Sequence, residues 1–79
     1  MGKYNNPVPI KCWEDFLIYH KCKFVRQKGS HHHWKHPGSK RTITFHGHKK
    51  EVPRFHIQTC LKTMKITNST FNTWAEANC

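Results

Sequence analysis

Between Lys11 and Lys21 the apolar residues fall at Cys12, Trp13, Phe16, Leu17 and either Tyr19 or His20. That spacing is the i, i+3, i+4, i+7 stripe of an amphipathic helix. The period then changes. Cys22-Lys23-Phe24-Val25-Arg26-Gln27 is short and alternating, as a strand requires, and Lys28-Gly29 supplies a turn. Ser30 to His36 forms a second extended segment, closed by Pro37-Gly38-Ser39, a strong turn signal. Arg41-Thr42-Ile43-Thr44-Phe45, rich in β-branched residues and alternating polar with apolar, is the clearest strand in the chain. Two hairpins in succession predict a three-stranded antiparallel meander.

Helical spacing returns after a loop from His46 to Val52. Pro53 fits the first position of a helix, where its missing N–H costs nothing, and Ile57, Cys60, Leu61 and Met64 repeat on one face. Asn68-Ser69, both favourable N-caps, open a last short helix with Phe71, Trp74 and Ala75 on one side. Met1 to Pro9, with two prolines and two asparagines, reads as an extended lead-in. The order α-β-β-β-α plus a C-terminal helix predicts an α+β fold. One face of the sheet must be covered by helices, because a lone three-stranded sheet has too little core.

A length of 79 residues allows one domain, so any chemistry sits on the surface of a single core. The charge narrows the field: 14 Lys and Arg against 4 Asp and Glu leave +10, with eight histidines besides. Such an excess repels itself in the folded state and points to a polyanionic partner. Nucleic acid comes first, since phosphate contacts release counterions without reading sequence. A membrane surface comes second and lacks the long basic amphipathic helix it needs. The start of the chain shows no apolar signal stretch and no run approaches a transmembrane span, so a cytoplasmic location is expected. Cys12, Cys22, Cys60 and Cys79 are far apart, with no Cys-x-x-Cys. In that compartment they are expected reduced, three as small core residues and Cys79 as a loose end. The other option is two disulfides, for which four cysteines allow three pairings.

Strand alternation sorts the histidine-rich segment. Trp34 should point beneath the helices, taking His32 with it, while His31, His33 and Lys35 face the open side. Ile43 and Phe45 go inward on the next strand, leaving Thr42 and Thr44 on that same open face. A basic sheet surface of this kind can hold an RNA backbone while a histidine moves a proton. Metal-free RNA cleavage takes the proton from a 2′-hydroxyl, stabilises charge on the phosphate and protonates the leaving 5′-oxygen. Imidazole exchanges protons near neutral pH, and cationic neighbours disfavour its protonated form, which suits a general base. Arg26, Lys28 or the Gly29 amide could stabilise the phosphate charge.

Arg26-Gln27-Lys28-Gly29-Ser30-His31-His32-His33-Trp34-Lys35-His36-Pro37, then Thr42-Ile43-Thr44-Phe45-His46-Gly47 and Lys50-Glu51-Val52-Pro53, resembles the HicA family of mRNA interferase toxins. The resemblance runs from about Trp13 to Ile66 in one collinear order. It implies a double-stranded-RNA-binding-domain-like fold, ribonuclease activity and a HicB-like antitoxin that binds the toxin; a metal-independent endoribonuclease held in a hetero-oligomer with that antitoxin is then expected. With the length, this gives one expected domain over residues 1–79, with a core of about 11–66 and a helical extension of about 68–79. The family's active histidine follows Gly-Ser and precedes an aromatic by three residues, a pattern that falls on His31 with Trp34. RNA contacts are then expected from Arg26, Lys28, Gly29, Ser30, His33 and Lys35, with no cofactor and no metal ligand. The chain departs from the family pattern in three places. Lys65 stands where a glycine usually ends the penultimate helix, Cys22 replaces an aromatic, and the tail runs past Ile66.

Other readings stay in view. His33, His36 and His48 read first as ordinary surface histidines, and His46 is evenly balanced. His31 and His33 share a face, as His46 and His48 would on a longer strand, yet no Cys pair or carboxylate completes a zinc site. The alternatives to a nuclease are a non-catalytic RNA-binding module, since one fold hosts many functions, and a metal-binding structural protein.

Overall fold

The computed structural model describes residues 7–47 and 50–79. Helix α1, Ile10–Tyr19, buries Cys12, Trp13, Phe16 and Leu17, the expected stripe, and leaves Tyr19 exposed. It ends where Lys21 turns to φ 64°. The Lys21 N–H then donates to the Ile18 carbonyl at 2.9 Å and the Cys22 N–H to the Leu17 carbonyl at 2.9 Å. This Schellman closure satisfies two terminal carbonyls and drops Cys22 into the core.

The three-stranded sheet follows, in the order β2 (Lys23–Lys28), β3 (His31–Lys35), β4 (Thr42–His46), antiparallel throughout. The meander is therefore as the pattern predicts, with boundaries moved by about one residue. One of those shifts matters, because His46 belongs to the strand and not to the loop. Gly29, at φ 60°, opens the two-residue β2–β3 loop, a position where a positive φ favours glycine.

Two short strands were not predicted. Val8–Pro9 (β1) pairs antiparallel with Glu51–Val52 (β5), setting Val8 against Val52, and both valines are buried. Two residues carry no measurable period, so the lead-in and the loop concealed them. Helix α2, Arg54–Met64, buries Ile57, Cys60, Leu61 and Met64 as expected. Pro53, expected as its first helical residue, is instead the cap, because its ψ of 140° is extended. Helix α3, Asn68–Asn78, is capped by Thr67 and not by Asn68 or Ser69. The Thr67 hydroxyl accepts the Thr70 N–H at 3.1 Å.

The core gathers round Trp13. Its ring meets Phe45 of β4 and Phe71 of α3 edge-on, with centroids 6.0 and 5.5 Å apart. Phe16 packs on Phe71 at 4.8 Å and on Trp74 at 5.3 Å. All three helices thus serve one side of the sheet and leave the other open. Among the described residues no helix is long and apolar enough to cross a membrane.

The cysteines require a correction. Cys79, expected as a loose end among reduced thiols, forms a disulfide with Cys12. Docking of α3 beside α1 brings the two Cα atoms to 5.8 Å, inside the range a disulfide spans. Cys22 and Cys60 are buried free thiols. Burial pushes the Cys22 thiol up to about 11 and the Cys60 thiol up to about 12.

Candidate nuclease face

The open face is assembled from three strands, and a bulge sets its composition. Lys23 opposes Lys35 and Phe24 opposes Trp34, but after Val25 the register shifts, so that Arg26 opposes His33 and Lys28 opposes His31. Directly opposed residues share a face. Strict alternation would put Arg26 on the same side as Phe24, against Trp34. The extra residue at Val25 reverses the parity and turns Arg26 and Lys28 toward the histidines.

On β3 the alternation falls as predicted. Trp34 is buried, His31 is exposed, and His33 and Lys35 are half-buried among the groups around them. His32 lies on the helix side, its ring 5.8 Å from Phe45 and 6.0 Å from Phe24. Its Nδ1 stands 3.9 Å from the Glu14 carboxylate. Gly47 packs so closely on that ring that any Cβ there would collide with it, while its N–H donates to the Ser30 carbonyl at 2.9 Å. Glycine is needed at 47 for close approach, and Ser30 contributes its backbone to closing the β3–β4 end.

The expected RNA-contact residues are not equivalent in the fold. Arg26, Lys28 and Gly29 are exposed beside His31 and His33. Lys35 lies at the far end of β3, where its ammonium donates to the Ser39 carbonyl within the β3–β4 turn. His33 is held by the Thr44 hydroxyl, 2.9 Å from its Nδ1. Partial desolvation, then the charges of Arg26, His31, Lys28 and His32, hold the His33 imidazole below its usual range. His36 is used locally, accepting the Gly38 N–H on Nδ1 at 3.0 Å. His48 lies outside the described residues.

At the other end of the face the fold adds what the pattern does not reveal. Cross-strand register puts His46 opposite His31, with ring centroids 4.6 Å apart. His56, from the first turn of α2, brings its ring to 4.8 Å from His46, and its Nδ1 accepts the His46 backbone N–H at 3.4 Å. Burial, then the charge of His31, hold His56 below the usual imidazole range. Beside it Phe55 is exposed, its ring 4.4 Å from that of His56. Neither Phe55 nor His56 carries a sequence signal, because the helix joins this corner only when it packs across β4. Among the described residues no group of three His, Cys, Asp or Glu side chains is placed to hold a metal ion.

The elements and face together define a small basic α+β domain whose open sheet carries histidines and cations, an arrangement compatible with a double-stranded-RNA-binding-domain-like scaffold. The family model described as HicA toxin of bacterial toxin-antitoxin matches residues 14–66, which include the whole three-stranded sheet and α2. The chain belongs to the HicA toxin family, and its role is that of a toxin with a toxin–antitoxin partner. No curated protein and no solved structure gives a match.

Proposed function

We propose that this toxin is a metal-independent endoribonuclease that cleaves mRNA, with His31 as the proton-transfer residue. The observation that carries the reading is the placement of His31: exposed in the centre strand, with Lys28 opposite on one side and His46 on the other. A phosphodiester laid across the strands would meet the cations of Arg26 and Lys28 and the Gly29 amide on its oxygens. The His31 imidazole would be within reach of the attacking 2′-hydroxyl. Ser30, His33 and Lys35 would contact the flanking backbone, and exposed Phe55 offers a ring for a base to stack on. The catalytic core is residues 11–66, with 68–79 as an extension that braces it.

The expected partner is a HicB-like antitoxin, neutral or acidic, that covers the open face and shields His31 in a hetero-oligomer. The decisive experiment is induced expression of wild type and His31→Ala, followed by cleavage of a defined RNA by each purified protein. Wild type should arrest growth, cut RNA in the presence of EDTA and leave a 2′,3′-cyclic phosphate or its hydrolysis product. His31→Ala should be slower by about 10²–10⁴-fold. Equal arrest by both proteins removes His31 from the mechanism. Salt-sensitive RNA binding without any cleavage by wild type would make the domain a binding module.

A further inference from the structure

Transesterification of RNA needs two proton transfers at one phosphate, removal from the 2′-oxygen and delivery to the departing 5′-oxygen. A single imidazole cannot be neutral for the first and protonated for the second within one concerted step, so a lone histidine leaves one transfer to water or to another side chain. The corner where β3, β4 and α2 meet holds more than one. His31 and His46 are direct cross-strand neighbours on the open face, with ring centroids 4.6 Å apart and planes at 83°. Rings set edge to face aim their nitrogens in different directions. They can therefore reach different oxygens of one phosphodiester, each within the roughly 2.6–3.2 Å a proton transfer requires.

We propose that His46 is the second catalytic residue, the general acid that protonates the leaving 5′-oxygen while His31 acts as base. The inference rests on the ribonuclease reading and adds a named group to it. In the step, neutral His31 takes the 2′-hydroxyl proton and the 2′-oxygen forms its bond to phosphorus. The bond from phosphorus to the 5′-oxygen breaks with its electron pair on that oxygen, and protonated His46 supplies the proton. The products are a 2′,3′-cyclic phosphate and a free 5′-hydroxyl. His31 is left protonated and His46 neutral, and exchange with solvent at this open face resets both. The division places the charged imidazole on the strand farther from Arg26 and Lys28, which lie on β2.

Other described histidines of the sheet and its turns have contacts of their own. His33 is bound to the Thr44 hydroxyl, His36 to the Gly38 amide, and His32 lies on the helix side. His56 is a positioning residue: its Nδ1 holds the backbone N–H of His46, an acceptor role that the neutral ring performs.

The test compares a natural oligoribonucleotide with one whose scissile 5′-oxygen is replaced by sulfur, which departs as a thiolate without needing a proton. His46→Ala should cleave the natural substrate more slowly by about 10²–10⁴-fold. On the sulfur substrate it should retain most of the wild-type rate. His31→Ala should be slow on both. His46→Gln, with thermal melting of each variant, separates loss of the acid from loss of the fold. The proposal is overturned if folded His46→Ala or His46→Gln is equally impaired on both substrates, or cleaves natural RNA as wild type does. Wild type that cleaves neither substrate overturns the ribonuclease reading itself, a different result from either of these.

Discussion

His20, His33 and His56 are all held below the usual imidazole range, with partial burial as the first cause in each. His36 adds to the shift at His20, the charges of Arg26, His31, Lys28 and His32 at His33, and His31 at His56. A histidine with a depressed folded pKa binds its proton less readily in the native state than in the unfolded chain. Its contribution is therefore complete above the unfolded value of about 6.5 and is lost as pH falls through the lower folded value. The melting temperature should accordingly decline from pH 7.5 to pH 5. His56→Asn, which keeps an acceptor for the His46 amide, should shrink the decline. A melting temperature that stays level across this range would contradict the assignment. The placement of His31 on the open face was legible, because strand parity assigns it there. The partnership of His46 and His56 was not, because 10 positions separate them and only packing joins them.

Among the elements, both α1 and α2 end with a lysine in the left-handed region, Lys21 at φ 64° and Lys65 at φ 61°. At the second, the Lys65 N–H donates to the Lys62 carbonyl at 3.1 Å and the Ile66 N–H to the Leu61 carbonyl at 2.9 Å, repeating the closure seen after α1. The positive φ at Lys65 is costly for a residue that carries a Cβ. Lys65→Gly should stabilise the protein by about 0.5–1 kcal/mol, since the αL cost to a residue with a Cβ exceeds the entropy glycine adds. Urea denaturation would measure it, and a loss of stability would show that the Lys65 side chain contributes more than its strain costs. Helices and strands of five or more residues were legible from periodicity: one face of α1, α2, β3 and β4 packs on a common core, while β2, exposed throughout, showed itself by its short alternating run and the turn after it. The bulge at Val25 escaped, since a single extra residue leaves no trace in a six-residue pattern and is set by pairing with β3. Its effect is large nonetheless: it delivers Arg26 and Lys28 to the histidine face.

At the scale of the molecule, the Cys12–Cys79 disulfide joins positions 67 residues apart, and both cysteines lie outside the 14–66 family match. It fastens α3, with Phe71 and Trp74, onto α1 and so covers Trp13 and Phe16. Restricting the unfolded chain over that separation contributes up to about 4 kcal/mol in the loop-entropy model. Cys79→Ser, or reduction with a dithiol, should therefore lower stability by about 2–4 kcal/mol in urea denaturation. Equal stability of oxidised and reduced protein would mean that packing alone holds the helix. What the sequence determined by itself was whatever local period and composition encode: the helical stripes, the order of the sheet strands, the basic charge, and the outward placement of His31. What only the tertiary structure decided were relations between distant segments: the β1–β5 pair, the disulfide, the bulge register and the His31–His46–His56 corner. The physical reason is common to all of them. Each depends on which surfaces dock and in what register, and docking is chosen by the whole core around Trp13, not by any residue's neighbours in sequence.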